Sequence, residues 1–517
     1  MKKRKVLSLV LAAVMAMSVT ACGGKNQTEQ PPKTDSPSST DSGKSETKAK
    51  DEGNVPIRWL TTGDAAAKAI KADDRIIAAI NEKLGIDLTV EIVPEANTEK
   101  VNVAMASGDF PDVVTGSYGT SATQQWIDDE MVIPLSKYFD TMPNIKAWLD
   151  DYQWSATGGE FYGLPFITQY EAANSLIIMR QDWLDNLGLS YPKTLDEMKA
   201  VMLAFTNDDP DGDGKNNTYG YTASKGIPFD WVFFAYGLPY ADYSLDNNDQ
   251  VIPFFEDSSF VPAMTYIKEL WDLKVIDPEL MLNDDPKKEE KFYQGKAGAM
   301  LGPLFRHVSR HENSVKELFP NATICYALPP AGPDGSSGLN KQGKNGMMTC
   351  ITTACKNQDK AAAFMDFMVS KEGNDLLRLG IEGIHYTKDG DTITYNMEER
   401  AKDAFADNGW AHALAWGSFY WPLESGYIPA TDPNRERALE TVKLASECQI
   451  QNLIKQKTPA EIQEGSAVND IFIQYFSDML QGKIGIEEGV ARLGKEWRNQ
   501  GGNEILKAVN EVYQANK

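Results

Sequence analysis

The sequence predicts an α/β protein of two or three domains, and three observations carry that prediction. The chain is 517 residues long, where one domain ordinarily takes roughly 100–200. Early in the folded part, runs of two-residue apolar period alternate with runs of helical period. That is the pattern of strands joined by crossover helices in a largely parallel sheet. With 42% hydrophobic and 24% charged residues, the chain can bury a large core, which excludes a disordered chain, a collagen or a coiled coil.

The elements follow in order. Residues 55–60 (VPIRWL) read as a buried strand. Residues 65–84 carry Ile76, Ile77, Ile80 and Leu84 at helical spacing, and Gly85 is a natural C-cap. Residues 86–93 set Ile86, Leu88, Val90 and Ile92 against Asp87, Thr89 and Glu91, a period-2 strand. A short helix over 95–106 ends at Ser107-Gly108-Asp109, and a strand over 112–115 follows. Further helices are expected over 361–370, 373–379, 433–455, 466–480 and 486–513. No repeat of 20–50 residues is visible, so solenoids and propellers are excluded.

Residues before the first strand read as an address. MKKRK is a cationic start, and residues 6–18 form an apolar run of secretory length, short for a bilayer span. Val19-Thr20-Ala21-Cys22 resembles a bacterial lipobox, in which cleavage leaves a lipidated Cys22 first; an ordinary signal peptide is the alternative. In residues 23–54 only Ala49 is apolar. Such a stretch cannot offset its ordering entropy and forms a leash reaching on the order of 30 Å. No later segment is long and apolar enough for a membrane-spanning helix, so a tethered globule is expected rather than a permease.

Charge narrows the partners. With 74 Asp+Glu against 51 Lys+Arg, most of the surface repels a phosphate backbone, so no nucleic acid is expected. Five cysteines are too few for a disulfide-built scaffold. Cys325, Cys350, Cys355 and Cys448 can pair in three ways or stay reduced.

The sharpest chemical motif is DPDGDGKNNT at 209–218. Carboxylates at loop positions 1, 3 and 5 (Asp209, Asp211, Asp213), Gly at 6 and the Lys215 carbonyl at 7 match the start of an EF-hand calcium loop. Gly220 stands at position 12, where the bidentate Glu would be. A solvated Asp/Gly turn is the other reading.

Aromatic residues crowd two stretches. Phe229, Trp231, Phe233, Phe234, Tyr236, Tyr240 and Tyr243 form one; Phe405, Trp410, Trp416, Phe419, Tyr420, Trp421 and Tyr427 form the other. Sugar rings present an apolar face and a hydroxyl rim, which aromatic platforms beside polar acceptors suit. Core packing is the competing reading for each residue. Trp231, Tyr236, Trp410, Trp416 and Trp421 are the candidates for ligand contact. Ligands of open α/β sheets bind beyond strand carboxyl ends. That adds Thr61, Thr62 and Asp64 after the first strand, Ser117 and Tyr118 after the 112–115 strand, and Gln169 and Tyr170 after Gly163-Leu-Pro165.

Two motifs fail. In GLNKQGKN at 338–345, Asn345 replaces the Ser/Thr of a P-loop, and no strand signal precedes it. His307 and His311 lie one helical turn apart, but Val308 stands where a zincin needs Glu.

Several blocks together resemble the family 1 extracellular solute-binding proteins, in the large lipoprotein branch of Gram-positive bacteria that serves carbohydrate ABC importers. They are MASGDFPDV (105–113), GLP (163–165), RQDWLDNLG (180–188), PKTLDE (192–197), DDPDGDGKNNTYG (208–220), GKAGAM (295–300), SKEG (370–373), GIEGIHY (380–386), and Trp497 with GGNEILK (501–507). The resemblance implies a two-lobe, periplasmic-binding-protein-like (type II) α/β fold with a hinge and an interlobe cleft. By that analogy residues 1–21 are the signal peptide and 22–54 the lipidated Cys and tether. Lobe one would be 55–167 plus 297–345, and lobe two 168–296 plus 346–517. Alginate-binding relatives of this branch carry a comparable structural Ca²⁺ loop. Matching positions name Asp209, Asp211, Asp213, Lys215 (carbonyl), Asn217 and Thr218 as ligands.

The function implied is non-enzymatic: a monomeric, lipid-anchored protein on the extracellular face of the membrane. It would close on a carbohydrate, expected to be an oligosaccharide, and deliver it to ABC permease subunits. A peptide or other organic solute is the runner-up cargo. A surface glycoside hydrolase or lyase would need a carboxylate pair about 5–9.5 Å apart, and no local spacing marks one.

Overall fold

The computed structural model describes residues 54–517 apart from 64–69, 72, 95–97, 118, 148–155, 166–172, 174, 226–227, 240, 304–306, 341–346, 391, 407–408, 411–434, 455–456 and 516. The chain builds two sheet-centred bodies and changes body three times. Body one begins with β1 (Val55–Gly63), α1 (Arg75–Leu84), β2 (Ile86–Pro94), α2 (Thr98–Ser107), β3 (Val113–Ser117), α3 (Ser121–Asp128), α4 (Pro143–Lys146) and β4 (Leu164–Pro165). Body two takes β5 (Ser175–Arg180), α5 (Gln181–Leu187), α6 (Leu195–Asn207), α7 (Asp230–Ala235), β6 (Tyr243–Leu245), β7 (Val251–Pro253), α8 (Phe260–Asp272), α9 (Asp285–Tyr293), β8 (Ala299–Pro303), α10 (His307–Lys316), β9 (Ile324–Tyr326) and β10 (Leu339–Asn340). The chain returns to body one with β11 (Met347–Ile351), α11 (Gln358–Val369), α12 (Lys371–Arg378), β12 (Tyr386–Asp389), β13 (Thr392–Tyr395), α13 (Met397–Arg400), β14 (Phe405–Ala406) and β15 (Gly409–Trp410). It ends in body two with α14 (Arg435–Glu447), β16 (Gln449–Ile450), α15 (Pro459–Leu480), α16 (Ile486–Trp497) and α17 (Asn503–Ala515).

Sheet one has the order β2-β1-β3-β11-β4. Its first three strands are parallel, as the alternating pattern predicts, and β11 runs antiparallel between β3 and β4. Side chains of β1 alternate faces: Ile57 and Trp59 enter a core with Ile76, Ile80 and Phe364, and Leu60 enters the opposite one with Val101, Met105 and Trp126. Sheet two, β8-β5-β9, is antiparallel throughout. It too is covered on both faces, Ile177 and Met179 facing one core and Ile178 the other.

This pairing corrects the expected division of the chain. Within 297–345, assigned to lobe one, β8 and β9 pair with β5 in body two. Within 346–517, assigned to lobe two, β11 completes sheet one, and α11 packs in the same core. Periodicity shows that a segment is a strand but not which sheet it joins.

Helix ends explain the smaller differences. Asp74 caps α1 by accepting from the Ile76 and Ile77 amides, and Gly85 ends it at φ 63°. α15 starts at Pro459 rather than 466, because Thr458 and Glu461 form a capping box. The helix expected over 433–455 stops at Glu447, and β16 begins two residues on, at Gln449. That over 486–513 breaks between α16 and α17: Gly501 takes φ 111°, and a Cβ on Gly502 would lie 2.0 Å from the Trp497 ring. Cys325, Cys350, Cys355 and Cys448 are free thiols, and Cys350 and Cys355 enter opposite cores of body one. His311 is buried, its Nδ1 2.7 Å from the Tyr293 hydroxyl. Among the described residues no helix is long and apolar enough to cross a membrane.

Candidate functional site

Three strand ends converge in body one. β1 is parallel to β3, and β3 and β4 are both antiparallel to β11, so β1, β3 and β4 all run one way. Their carboxyl ends, Gly63, Ser117 and Pro165, lie along one edge, with Met347 opposite Ser117 and Met348 opposite Pro165. The segments leaving that edge are the ones carrying Asp64, Tyr118, Gln169 and Tyr170. Those four residues lie outside the described residues. Thr62 is described, and it is buried within β1.

The edge is pinned from below. Trp59 Nε1 donates to Thr115 Oγ1 at 2.9 Å, and Thr115 Oγ1 lies 2.9 Å from Thr349 Oγ1, a buried polar rung across β1, β3 and β11. Gly116 follows in β3, where a Cβ would meet the Trp126 ring at 2.3 Å. The Ser117 carbonyl accepts from the Thr120 and Thr123 hydroxyls (3.1 and 2.9 Å), fixing the turn into α3.

Body two faces this edge. α3 meets α15, and a Cβ on Gly119 would come 3.6 Å from Lys457 Cδ, just before the α15 cap. Glu461 holds that start in place: it accepts from the Thr458 amide at 2.7 Å and the Tyr243 hydroxyl at 2.8 Å. Asp242 Oδ2 accepts from the Leu453 amide at 2.7 Å, and burial pushes the Asp242 carboxyl up to about 7. Sequence reading missed this wall, although Thr458-Pro459-Ala460-Glu461 carries the capping-box signal.

The aromatic candidates divide. Trp231 is 0% exposed, its ring edge-on to Tyr221 at 5.8 Å. All six residues of α7 are buried, so as placed Trp231 is a core residue with no exposed surface to offer a solute, unlike the contact expected for it. Tyr236, at the end of α7, is half-buried against the same core, with the charges of Asp196, Glu269 and Lys199 near its hydroxyl. Trp410 lies in β15, paired with Phe405. Trp416 and Trp421 lie outside the described residues, as does Cys22.

A second constellation sits in the α6 to Gly220 turn. One carboxylate oxygen each from Asp209, Asp211 and Asp213 lies within 4.8 Å of the others. Asp209 at φ 47°, Gly212 at 68° and Gly214 at 76° wind the loop tightly. The Gly214 amide donates to Asp209 Oδ2 at 3.1 Å. Asp213 Oδ1 accepts from the Lys215 amide (2.8 Å), and its Oδ2 accepts from Lys215 Nζ (3.0 Å) and Asn217 Nδ2 (3.2 Å). Asn186 of α5 braces the loop through the Pro210 carbonyl at 3.0 Å. Burial and the neighbouring Asp213 and Asp209 charges raise the Asp211 carboxyl, while Lys215 lowers Asp213. The three converging carboxylates are hard oxygens of the kind a divalent cation takes, and the Lys215 ammonium lies against one of them. Thr218 is buried, and its hydroxyl donates to the Phe205 carbonyl at 2.7 Å, so that hydroxyl is engaged by α6.

Residues 59–375, which span both sheets and the acidic loop, match the family model described as bacterial extracellular solute-binding protein. The chain belongs to that family. This solute-binding protein is 26% identical to Lipoprotein LipO of Bacillus subtilis over 460 residues, 85% of this chain and 89% of LipO. It is 25% identical to the polygalacturonan/rhamnogalacturonan-binding protein YtcQ of the same organism, over 100% of this chain and 99% of YtcQ. Among solved structures, the alginate-binding protein AlgQ2 without calcium ion superposes with a TM-score of 0.72 at 18% identity, covering 90% of this chain and 98% of that one. An EF-hand mutant of the Streptococcus pneumoniae ABC-transporter substrate-binding protein FusA, in complex with fructo-nystose, gives 0.70 at 20%, covering 89% and 100%. These likenesses establish the two-domain periplasmic-type α/β fold.

Proposed function

We propose that this solute-binding protein captures an oligosaccharide between its two bodies, outside the cell, and passes it unaltered to an ABC permease. The observation that carries the reading is the edge where β1, β3 and β4 end together, facing Lys457 and α15 of the other body. The carboxyl edge of an open α/β sheet is where such folds place ligands. A solute held there touches both bodies only when they approach, so its binding energy favours the closed form. Asp64, Tyr118, Gln169 and Tyr170 would supply contacts from body one. Trp410, Trp416 and Trp421 would supply stacking faces, with Tyr236 a weaker member. Carbohydrate as cargo draws support from the names of YtcQ and of the FusA complex. Lipid anchoring through Cys22 draws on the lipobox and on LipO.

Ca²⁺ is the resident cation we assign to the acidic loop. Asp209, Asp211 and Asp213 would hold it with the Lys215 carbonyl, Asn217 and Thr218, the last through its backbone oxygen. When bound it supplies one centre of charge that ties the α6 exit to the strand-like segment at Tyr219 and Tyr221. Its role is a staple away from the solute.

Isothermal titration against oligogalacturonides, fructo-oligosaccharides and alginate oligosaccharides tests the function. Binding at micromolar or tighter affinity, with no new reducing ends released, is expected. Failure of every sugar with binding of a peptide panel would overturn the cargo; released reducing ends would overturn the non-enzymatic role.

A further inference from the structure

Resting on the calcium reading above, we propose that Lys215 is a tethered competitor for the cation, so that the loop tunes its own calcium affinity. The ammonium lies 3.0 Å from Asp213 Oδ2. That oxygen belongs to one of the three carboxylates that converge within 4.8 Å. A divalent ion entering that focus meets a positive charge already among its ligands. The two charges repel at that range, so the ammonium must leave before the ion settles.

The geometry makes this displacement possible. Lys215 Nζ rides on a flexible four-carbon stem and is largely exposed, at 69%. Its other polar role is separate: the amide stays on Asp213 Oδ1 at 2.8 Å, and the carbonyl is the group expected to bind the metal. One residue therefore carries a backbone ligand that recruits the ion and a side chain that opposes it. With the metal gone, the ammonium swings in and supplies part of the lost positive charge. The three carboxylates then stay together instead of repelling one another apart. An exposed pair of this kind corresponds to about a two- to five-fold change in an equilibrium constant.

Lys215→Gln separates the side chain from the carbonyl. Calcium titrations of the full chain after chelator treatment, read by calorimetry, should show affinity about two- to five-fold tighter in K215Q. The difference should shrink as salt is raised. Thermal melts give a second readout. The metal-free variant should melt below the metal-free wild type, and the calcium-loaded forms should melt together. Lys371→Gln, which removes the same charge from an exposed side chain on α12 of body one, should leave calcium affinity unchanged. Equal or weaker affinity in K215Q overturns the competitor role and leaves the calcium staple standing. No calcium binding by either protein overturns both.

Discussion

Asp242 is a single carboxylate whose burial has a measurable sign. It is 7% exposed, holds the Leu453 amide, and is pushed up to about 7 by desolvation. In the unfolded chain an Asp titrates near about 4. Between those values the folded protein holds a proton that the unfolded chain has released. Stability therefore falls as pH rises across that window and levels off above it. Asp230, buried at the start of α7 and also raised to about 7, acts in the same direction. Asp242→Asn keeps an acceptor for Leu453 and cannot ionise. The drop in urea midpoint between pH 5 and pH 8, measured with calcium saturating, should be smaller in D242N than in the wild type. An identical drop would mean that Asp242 titrates alike in both states. At this scale the convergence of Asp209, Asp211 and Asp213 was legible, because the three carboxylates are neighbours in sequence. Trp231 was not: aromatic density says that rings cluster, and only the packing of α7 says that this one faces inward.

At the scale of elements, glycines mark where backbone and side chain crowd. Gly116 lets β3 run under the Trp126 ring of α3, with 2.3 Å to a hypothetical Cβ and Thr123 Cγ2 close behind at 3.1 Å. Gly116→Ala forces a well-packed core apart and should destabilise by about 1–3 kcal/mol. Because β3 ends at the candidate site, weaker solute binding should accompany the loss. Gly465 is the contrast: it lies inside α15 with nothing within 4 Å of an added Cβ. Gly465→Ala should stabilise by about 0.5–1 kcal/mol through helix propensity alone. Denaturant unfolding of both variants checks the pair, and a neutral Gly116→Ala would show that Trp126 yields. Strand β2 was read correctly from alternation, β1 and β3 as short strands, and α1 from helical spacing with its Gly85 cap. The α15 start and the α16–α17 break were missed although two local signals, Thr458-x-x-Glu461 and Gly501-Gly502, mark them.

The whole molecule depends on contacts that no local pattern encodes. Thr115 and Thr349 share a hydrogen bond across 234 positions of sequence, and β11 joins sheet one only after the chain has built most of body two. That is why strand ends were legible while the division between bodies was not. The same topology constrains the mechanics. Connections at three places limit the motion between the bodies, and a few residues at those crossings can absorb it. In the proposed capture mode, a solute bridging the strand ends of body one and Lys457 with the capped start of α15 in body two would make its full set of contacts only when the bodies approach. Binding energy then appears as a shift toward the compact form, limited by the difference in contacts between open and closed states. Small-angle scattering should show a smaller radius of gyration with a saturating oligosaccharide than without. Lys457→Glu, at the facing rim, should weaken binding while leaving the melting temperature of the unliganded protein within a degree or two. Superimposable scattering curves with a tight binder would mean that the solute sits on one body alone.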